Sequence, residues 1–333
     1  MNSIKRFTAL FLLALVVGTQ AARADDKITL MVGGIEKQIY LPAKLTEQLG
    51  YFKEQGIDVE LLSEPSGVNA EDELLAGAAQ GVIGFYDHAI DLQAKGKAVE
   101  SVVQLAQTPG EFEMVSAKVA SQVKSPADFK GRTLGVTGLG SSTNFLTQFL
   151  AVQNGVKISE FTSLPVGSGS TFIAAMKQGK IDAGMTTEPT ASRLVKTGDG
   201  AILVNLCSPE ETQKALGGLY PAASLYMQTA WVNAHKPQVQ KLVNAFVKTM
   251  KFIQSHNAAE IAEHMPADFY AGDKTAYVTA LGNSKPMFTA DGKMPPSGPA
   301  TVLKVLLAFD KTVQGKTIDL SKTYTVEFSS AAK

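Results

Sequence analysis

The amino-acid sequence predicts an α/β fold in two lobes, each a mainly parallel sheet flanked by helices. Three observations carry that expectation. Short apolar stretches of strand length alternate with segments whose apolar residues recur every three to four positions. Loops rich in glycine and hydroxyl residues stand where such strands run into helices. The alternation then starts afresh after the turn Thr108-Pro-Gly-Glu-Phe112, where the chain is expected to cross from one lobe to the other. Strands that alternate with helices pair in parallel, and ligands bind beyond their carboxyl ends.

Residues 1–24 precede this pattern. Lys5 and Arg6 form a basic start, 7–18 an apolar run, and Ala22-Arg-Ala24 a processing site, which together read as a secretory signal peptide. The apolar run is shorter than the roughly 20 residues that span a bilayer, so an exported, freely diffusing chain is expected. The mature sequence opens with a strand over 27–32, a loop over 33–38 and a helix over 42–49. A strand over 56–62 follows, then the loop Ser66-Gly-Val-Asn69 and a helix capped by Asn69. Residues 81–85 form a third strand, with Tyr86-Asp-His88 at its carboxyl end and a helix over 89–95; 99–105 form a fourth.

The second set begins with a short capped helix over 125–131 and a strand over 133–137. That strand enters the loop Gly138-Leu-Gly-Ser-Ser-Thr-Asn144, and Phe145, Leu146, Phe149 and Leu150 then share one helix face until Gly155 ends the pattern. The same device recurs as a strand over 163–166, the loop Gly167-Ser-Gly-Ser-Thr171 and a helix over 172–178. A third junction is Thr186-Thr-Glu-Pro-Thr190, where Pro189 suits a first helical turn and Thr187 or Glu188 a cap. The chain is expected to return through Gly217-Gly-Leu-Tyr-Pro221 into an apolar strand over 223–232. Pro237 then opens a long helix with Val239, Leu242, Val243, Phe246, Val247, Met250 and Ile253 as its packing stripe, and a last helix covers 300–313. These readings place 25–113 and 221–333 in one lobe and 114–220 in the other.

Composition narrows the function. Removing Lys5, Arg6 and Arg23 from 31 basic residues leaves 28 against 31 acidic ones, and there is no basic block or aromatic-interleaved basic stripe, which argues against a nucleic-acid partner. Cys207 is the single cysteine, so an internal disulfide and any paired-cysteine metal or redox site are excluded. The four histidines, His88, His235, His256 and His264, lack metal-ligand spacing. Free N–H groups at helix starts, with the positive end of the helix dipole, suit an anionic or polar ligand group.

The candidate ligand-binding residues follow from those junctions: Gly140, Ser141, Ser142 and Thr143 in one loop, Ser168 in the next, and Thr187 and Glu188 in the third. Gly34, Gln38, Ser66 and Gly67 sit in the corresponding loops of the first lobe, and Tyr86 and His88 at its third strand end, where a tyrosine ring can stack on a planar ligand. Phe112 and Tyr220 stand near the two crossings.

Four motifs, in order and spacing, resemble the type II periplasmic binding proteins for alkanesulfonates, taurine, nitrate and the pyrimidine precursor of thiamine. They are Gly50-Tyr-Phe-Lys-Glu-Gln-Gly-Ile-Asp-Val-Glu60, Lys124-Ser-Pro-Ala-Asp-Phe-Lys-Gly-Arg132, Gly138-Leu-Gly-Ser-Ser-Thr143, and Lys177-Gln-Gly-Lys-Ile-Asp-Ala-Gly184 leading to Glu188-Pro189. The resemblance implies two α/β lobes joined by two crossing strands, a periplasmic monomer that closes on a small-molecule solute, and delivery to an inner-membrane ABC permease. It implies that 138–143 supply donors to the ligand and that Glu188 accepts a hydrogen bond or pairs with a ligand cation. Two departures weigh against the usual sulfonate and nitrate ligands: Thr187 replaces an aromatic before Glu-Pro, and Tyr86-Asp-His88 replaces small residues. A small polar organic acid, aromatic or zwitterionic, is the expected solute.

Enzyme readings fare less well. Ser141 follows a glycine-rich turn but lacks the G-x-S-x-G elbow of a nucleophile, and the loop lacks the last glycine of a dinucleotide fingerprint, so no cofactor is expected. Thiamine-pyrimidine synthases resemble this chain in fold but are cytosolic and carry a cysteine-rich iron motif, which the single Cys207 does not supply. A transcription-regulator effector domain would need a DNA-binding helix pair where the signal peptide stands.

Overall fold

The computed structural model describes residues 27–270 and 272–332; the signal peptide expected over 1–24 lies outside the described residues. Two five-stranded sheets carry the fold, and the alternation of strand and helix legible in the sequence is what builds them. The first sheet comprises β1 (Ile28–Val32), β2 (Val59–Ser63), β3 (Gly81–Phe85) and β4 (Val99–Gln104), and it is joined late by β10 (Ala223–Gln228). The second comprises β5 (Glu111–Ser116), β6 (Thr133–Val136), β7 (Thr162–Pro165), β8 (Ala183–Thr187) and β9 (Gly200–Asn205).

Their orders, β2-β1-β3-β10-β4 and β7-β6-β8-β5-β9, are the same pattern twice. In each sheet the first three strands are parallel, and one reversed strand is inserted: β10 between β3 and β4, β5 between β8 and β9. The inserted strands are the two that follow the crossings between sheets. Helices cover both faces, the long helix Lys236–Ser255 burying the stripe from Val239 to Ile253 against the first sheet and the helices beside it.

Four expectations change. The strand over 223–232 stops at Gln228, which pairs with Val99 at the start of β4; beyond it no partner strand remains, and Thr229–Ala234 coils into a helix. β5 was hidden from the periodicity because all six of its positions are buried, Glu111 and Glu113 among them. Ser66, not Asn69, caps the helix Gly67–Ala76, its hydroxyl accepting from Asn69 N. The final 300–313 segment is two helices, Gly298–Leu307 and Lys311–Gln314, because Asp310 accepts from the Thr312 and Val313 N–H groups and starts a new turn.

Candidate functional site

Between the carboxyl ends of the two sets of parallel strands lies a small cavity of about 10 Å³, room for about one water molecule. One wall comes from the first lobe, as Lys37, Tyr40, Gly67 and Phe85; the other comes from the second, as Glu111, Thr137, Ser141, Ser142, Thr143 and Thr187. β6 delivers the most polar part. Beyond Val136 the chain turns, Thr143 Oγ1 accepts from Thr137 N at 3.0 Å, and Gly140 N donates to Asn144 Oδ1 at 3.1 Å. These bonds set the start of the helix Ser142–Gln153, where the Asn144 and Phe145 N–H groups donate to Ser141 O at 2.8 and 3.0 Å and those of Ser142 and Thr143 precede the first helical bond. Ser141 Oγ is buried with no hydrogen-bond partner among the described residues.

Opposite stands Lys37, 6% exposed. Its ammonium donates to Gly33 O at 2.6 Å and reaches toward Pro65 O at 3.4 Å. Gly34 permits this: at φ 108° it takes a conformation that favours glycine, and a Cβ there would fall 2.5 Å from Lys37 Cε. Burial lowers the lysine pKa, partly offset by Glu36 and Glu111. Glu111 Oε2 has no partner among the described residues, and burial, reinforced by Asp87 and partly offset by Lys37, holds its pKa well above the usual carboxylate range.

The two lobes meet around this cavity. Ser142 Oγ donates to Asp87 Oδ1 at 2.8 Å, Gln38 N to Glu188 O at 3.0 Å, and at the rim Ser168 Oγ to Glu36 Oε1 at 3.0 Å. Asp87 also accepts from Tyr220 Oη at 2.7 Å. Below it, His88 Nδ1 lies 2.7 Å from Glu71 Oε2, an ion-pair distance reached outside hydrogen-bond alignment. Burial by itself would lower the His88 pKa, but Glu71, Asp87 and Asp91 outweigh it and raise it to about 9.

Of the residues expected from sequence, Gly67, Ser141, Ser142, Thr143 and Thr187 line the cavity. The others are placed differently. Tyr86 opens the helix Asp87–Ala94 but points away, its hydroxyl meeting Thr323 Oγ1 and its ring edge-on to Tyr324. His88 is held beneath the wall by Glu71, and Tyr220 supports Asp87 instead of facing a ligand. Gln38 gives its amide to Tyr277 O and accepts from Ser284 Oγ. Gly34, Ser66 and Gly140 shape loops, and Ser168 bridges the rim. Phe112 faces the opposite side of β5 from Glu111, as strand alternation requires, and lines a separate, more open cleft with Val195, Ile202 and Cys207. No buried unpartnered polar atom among the described residues belongs to that cleft's lining, so the smaller cavity is the better site.

Glu188 needs its own correction. Its carboxylate accepts from Ser192 N at 3.0 Å and Ser192 Oγ at 2.7 Å, so both oxygens are engaged by the first turn of the helix Thr190–Thr197. Glu188→Ala is therefore expected to lower stability by about 1 kcal/mol and to leave solute affinity within about twofold; a tenfold loss of affinity in a titration with unchanged melting would restore it to the site. The sequence reading also missed Lys37, Tyr40, Asp87 and Glu111. Lys37 is a basic group at the cavity, and its position after Gly33-Gly34 was the available signal.

A family model described as NMT1/THI5 like matches residues 40–259. A solved structure from Bordetella bronchiseptica RB50 is 36% identical, covers 92% of this chain and 96% of its own, and superposes with a TM-score of 0.88. The alkanesulfonate-binding protein SsuA from Xanthomonas axonopodis pv. citri, bound to MOPS, shares the fold at 16% identity and a TM-score of 0.73, over 90% of this chain and 98% of that one. The yeast 4-amino-5-hydroxymethyl-2-methylpyrimidine phosphate synthase THI13, from Saccharomyces cerevisiae, is 28% identical over 168 residues, 50% of this chain and 47% of that protein. The chain thus spans about half the length of the first curated relatives it matches.

Proposed function

The chain belongs to the NMT1/THI5-like family, and from that premise we propose that it is the solute-binding component of an ABC-type importer. In this reading it is exported to the periplasm, captures a small polar organic solute between its lobes and presents the closed form to a permease. One observation carries the proposal: the cavity is walled by both lobes and holds buried polar atoms, Ser141 Oγ and Glu111 Oε2, without partners. An unpartnered buried polar atom costs about 1–3 kcal/mol, and a solute that bonds it recovers that cost only when both walls are in place. Binding therefore favours closure. The moving bodies are the lobes expected from sequence, 25–113 with 221–333 and 114–220, with their first boundary drawn back to just before Glu111, where β5 of the second sheet begins.

Similarity to the yeast synthase favours a second reading, catalysis on a pyrimidine precursor. The absence of any cysteine besides Cys207 weighs against it. The two readings separate in one experiment. A solute found by thermal-shift screening is incubated with the purified protein and followed by small-angle scattering and mass spectrometry. The importer reading expects a smaller radius of gyration on binding and the solute returned unchanged; steady conversion would establish an enzyme. At about 100 times its dissociation constant such a solute adds about 2.7 kcal/mol of stability, and Ser142→Ala is expected to shift the unliganded ensemble toward the open form by removing the bond to Asp87.

A further inference from the structure

On the opposite side of β5 from the small cavity lies a far larger cleft, of about 600 Å³, between the two lobes. Its floor and one wall belong to the second lobe. Phe112 and Cys207 are buried there, and Val195 and Ile202 stand above them at 48% and 46% exposure. Phe112 and Ile202 come from the neighbouring strands β5 and β9, so the apolar surface is as level as the sheet that carries it. The facing wall belongs to the first lobe: Thr275, Thr279 and Asn283 recur every four positions along the helix Lys274–Ser284 and share one of its faces. An apolar wall thus looks across the cleft at a row of hydroxyl and amide groups.

The charges decide what can enter. Glu188 and Lys196 are the two charged residues of the lining, and both are engaged. The Glu188 carboxylate accepts twice from Ser192, and Lys196 donates to Asp273 across the lobes. Burial also raises the Cys207 thiol pKa to about 12, helped by Glu188, so the floor carries no thiolate. A charged ligand would lose its water without finding a free counter-charge, whereas a neutral one leaves these pairs intact. The volume falls within the roughly 300–1,000 Å³ of small-molecule sites.

We propose that this cleft is a second ligand site, which takes an uncharged molecule with a flat apolar body and one hydrogen-bonding edge. The body lies against Phe112, Val195 and Ile202, and the edge meets Thr275, Thr279 and Asn283. Both lobes contribute, so a bound molecule ties them together. Adjacent residues separate this site from the small cavity: Glu111 and Thr187 face the cavity, and Phe112 and Glu188 face the cleft. A ligand here therefore shares strands with the cavity without competing for its space, and the site stands whether or not the importer reading does.

The test uses the purified mature chain at pH 7 and 2-naphthol as the neutral probe, with naphthalene-2-sulfonate and 2-naphthylmethylammonium as charged analogues. 2-Naphthol is expected to bind saturably in a fluorescence titration, and neither analogue should displace it at an equal concentration. Ile202→Asn and Val195→Asn should each weaken it about tenfold by removing exposed apolar contacts. Thr279→Val should weaken it about fivefold through the lost hydrogen bond. Ile158→Asn, in a different cleft beside Phe309, should leave it within twofold, which separates this site from general apolar adsorption. The substituted positions are exposed, and the wild-type competition stands even if one variant misfolds. No saturable binding overturns the inference, as do displacement by either analogue and unchanged affinity in folded Ile202→Asn and Val195→Asn. None of these outcomes bears on the importer reading, which the compaction and turnover experiment decides.

Discussion

Glu71→Ala is expected to lower the unfolding free energy by about 3–5 kcal/mol, the cost of leaving one member of a buried ion pair without its partner. His88 and Glu71 are 1% and 4% exposed, so water cannot replace the lost carboxylate. Denaturant titration checks the figure, and a variant within 1 kcal/mol of wild type would refute a structural role for the pair. Replacing both residues by leucine should recover much of the loss, because an apolar pair of similar volume removes the unpaired charge along with its partner.

The same pair sets a pH dependence. The His88 pKa, raised from 6.5 to about 9, means that its contribution is complete below pH 6.5 and is lost as pH rises through 9. Glu113 acts in the same direction. Its Oε2 accepts from Thr147 Oγ1, its Oε1 has no partner among the described residues, and burial raises its pKa from 4.5 to about 8. The folded form thus keeps a proton that the unfolded chain releases, and stability falls as pH rises from 4.5 through 8. The melting temperature is expected to decline between pH 6.5 and 9, less steeply in Glu113→Gln; a rise over that window would contradict both assignments.

Gly184→Ala is expected to cost about 3 kcal/mol, at the upper end for an overpacked core. Gly184 is paired with Gly135 across β8 and β6, and a Cβ at 184 would lie 2.5 Å from Gly135 O and 2.8 Å from Gly135 Cα and N. These are backbone atoms of adjacent parallel strands and cannot rotate aside. Gly135→Ala is the contrasting case: its nearest obstacle is Ile181 Cδ1 at 2.5 Å, the end of a side chain that can change rotamer. Its cost should be about 1 kcal/mol. Equal melting temperatures for the two variants would show that the strands separate at no cost.

The legible part of the site was the part made by local chain. The loop 138–143 announces itself because a strand, small residues and an amphipathic stripe follow one another within a few positions, and three of its residues line the cavity. Lys37 and Glu111 were passed over for the opposite reason. A lysine in a loop and a glutamate after a turn are by prior expectation exposed residues, and nothing adjacent in the sequence marks them otherwise. Tyr86 and His88 were placed correctly at a strand end, but their direction depends on partners far along the chain: Tyr86 meets Thr323, and Tyr220 meets the intervening Asp87.

By itself the sequence determined the α/β class, most strand and helix positions, the restart after Phe112 and the hydroxyl-rich helix start at Ser141. Those follow from periodicity and from backbone groups that need capping, interactions spanning a few residues. Only the tertiary structure decided that β5 and β10 are inserted antiparallel, that Glu188 caps its own helix, and that Lys37 and Glu111 face one cavity. The reason is physical: burial and the pairing of charges are set by which distant segments pack together, and no local pattern specifies the groups that water leaves behind.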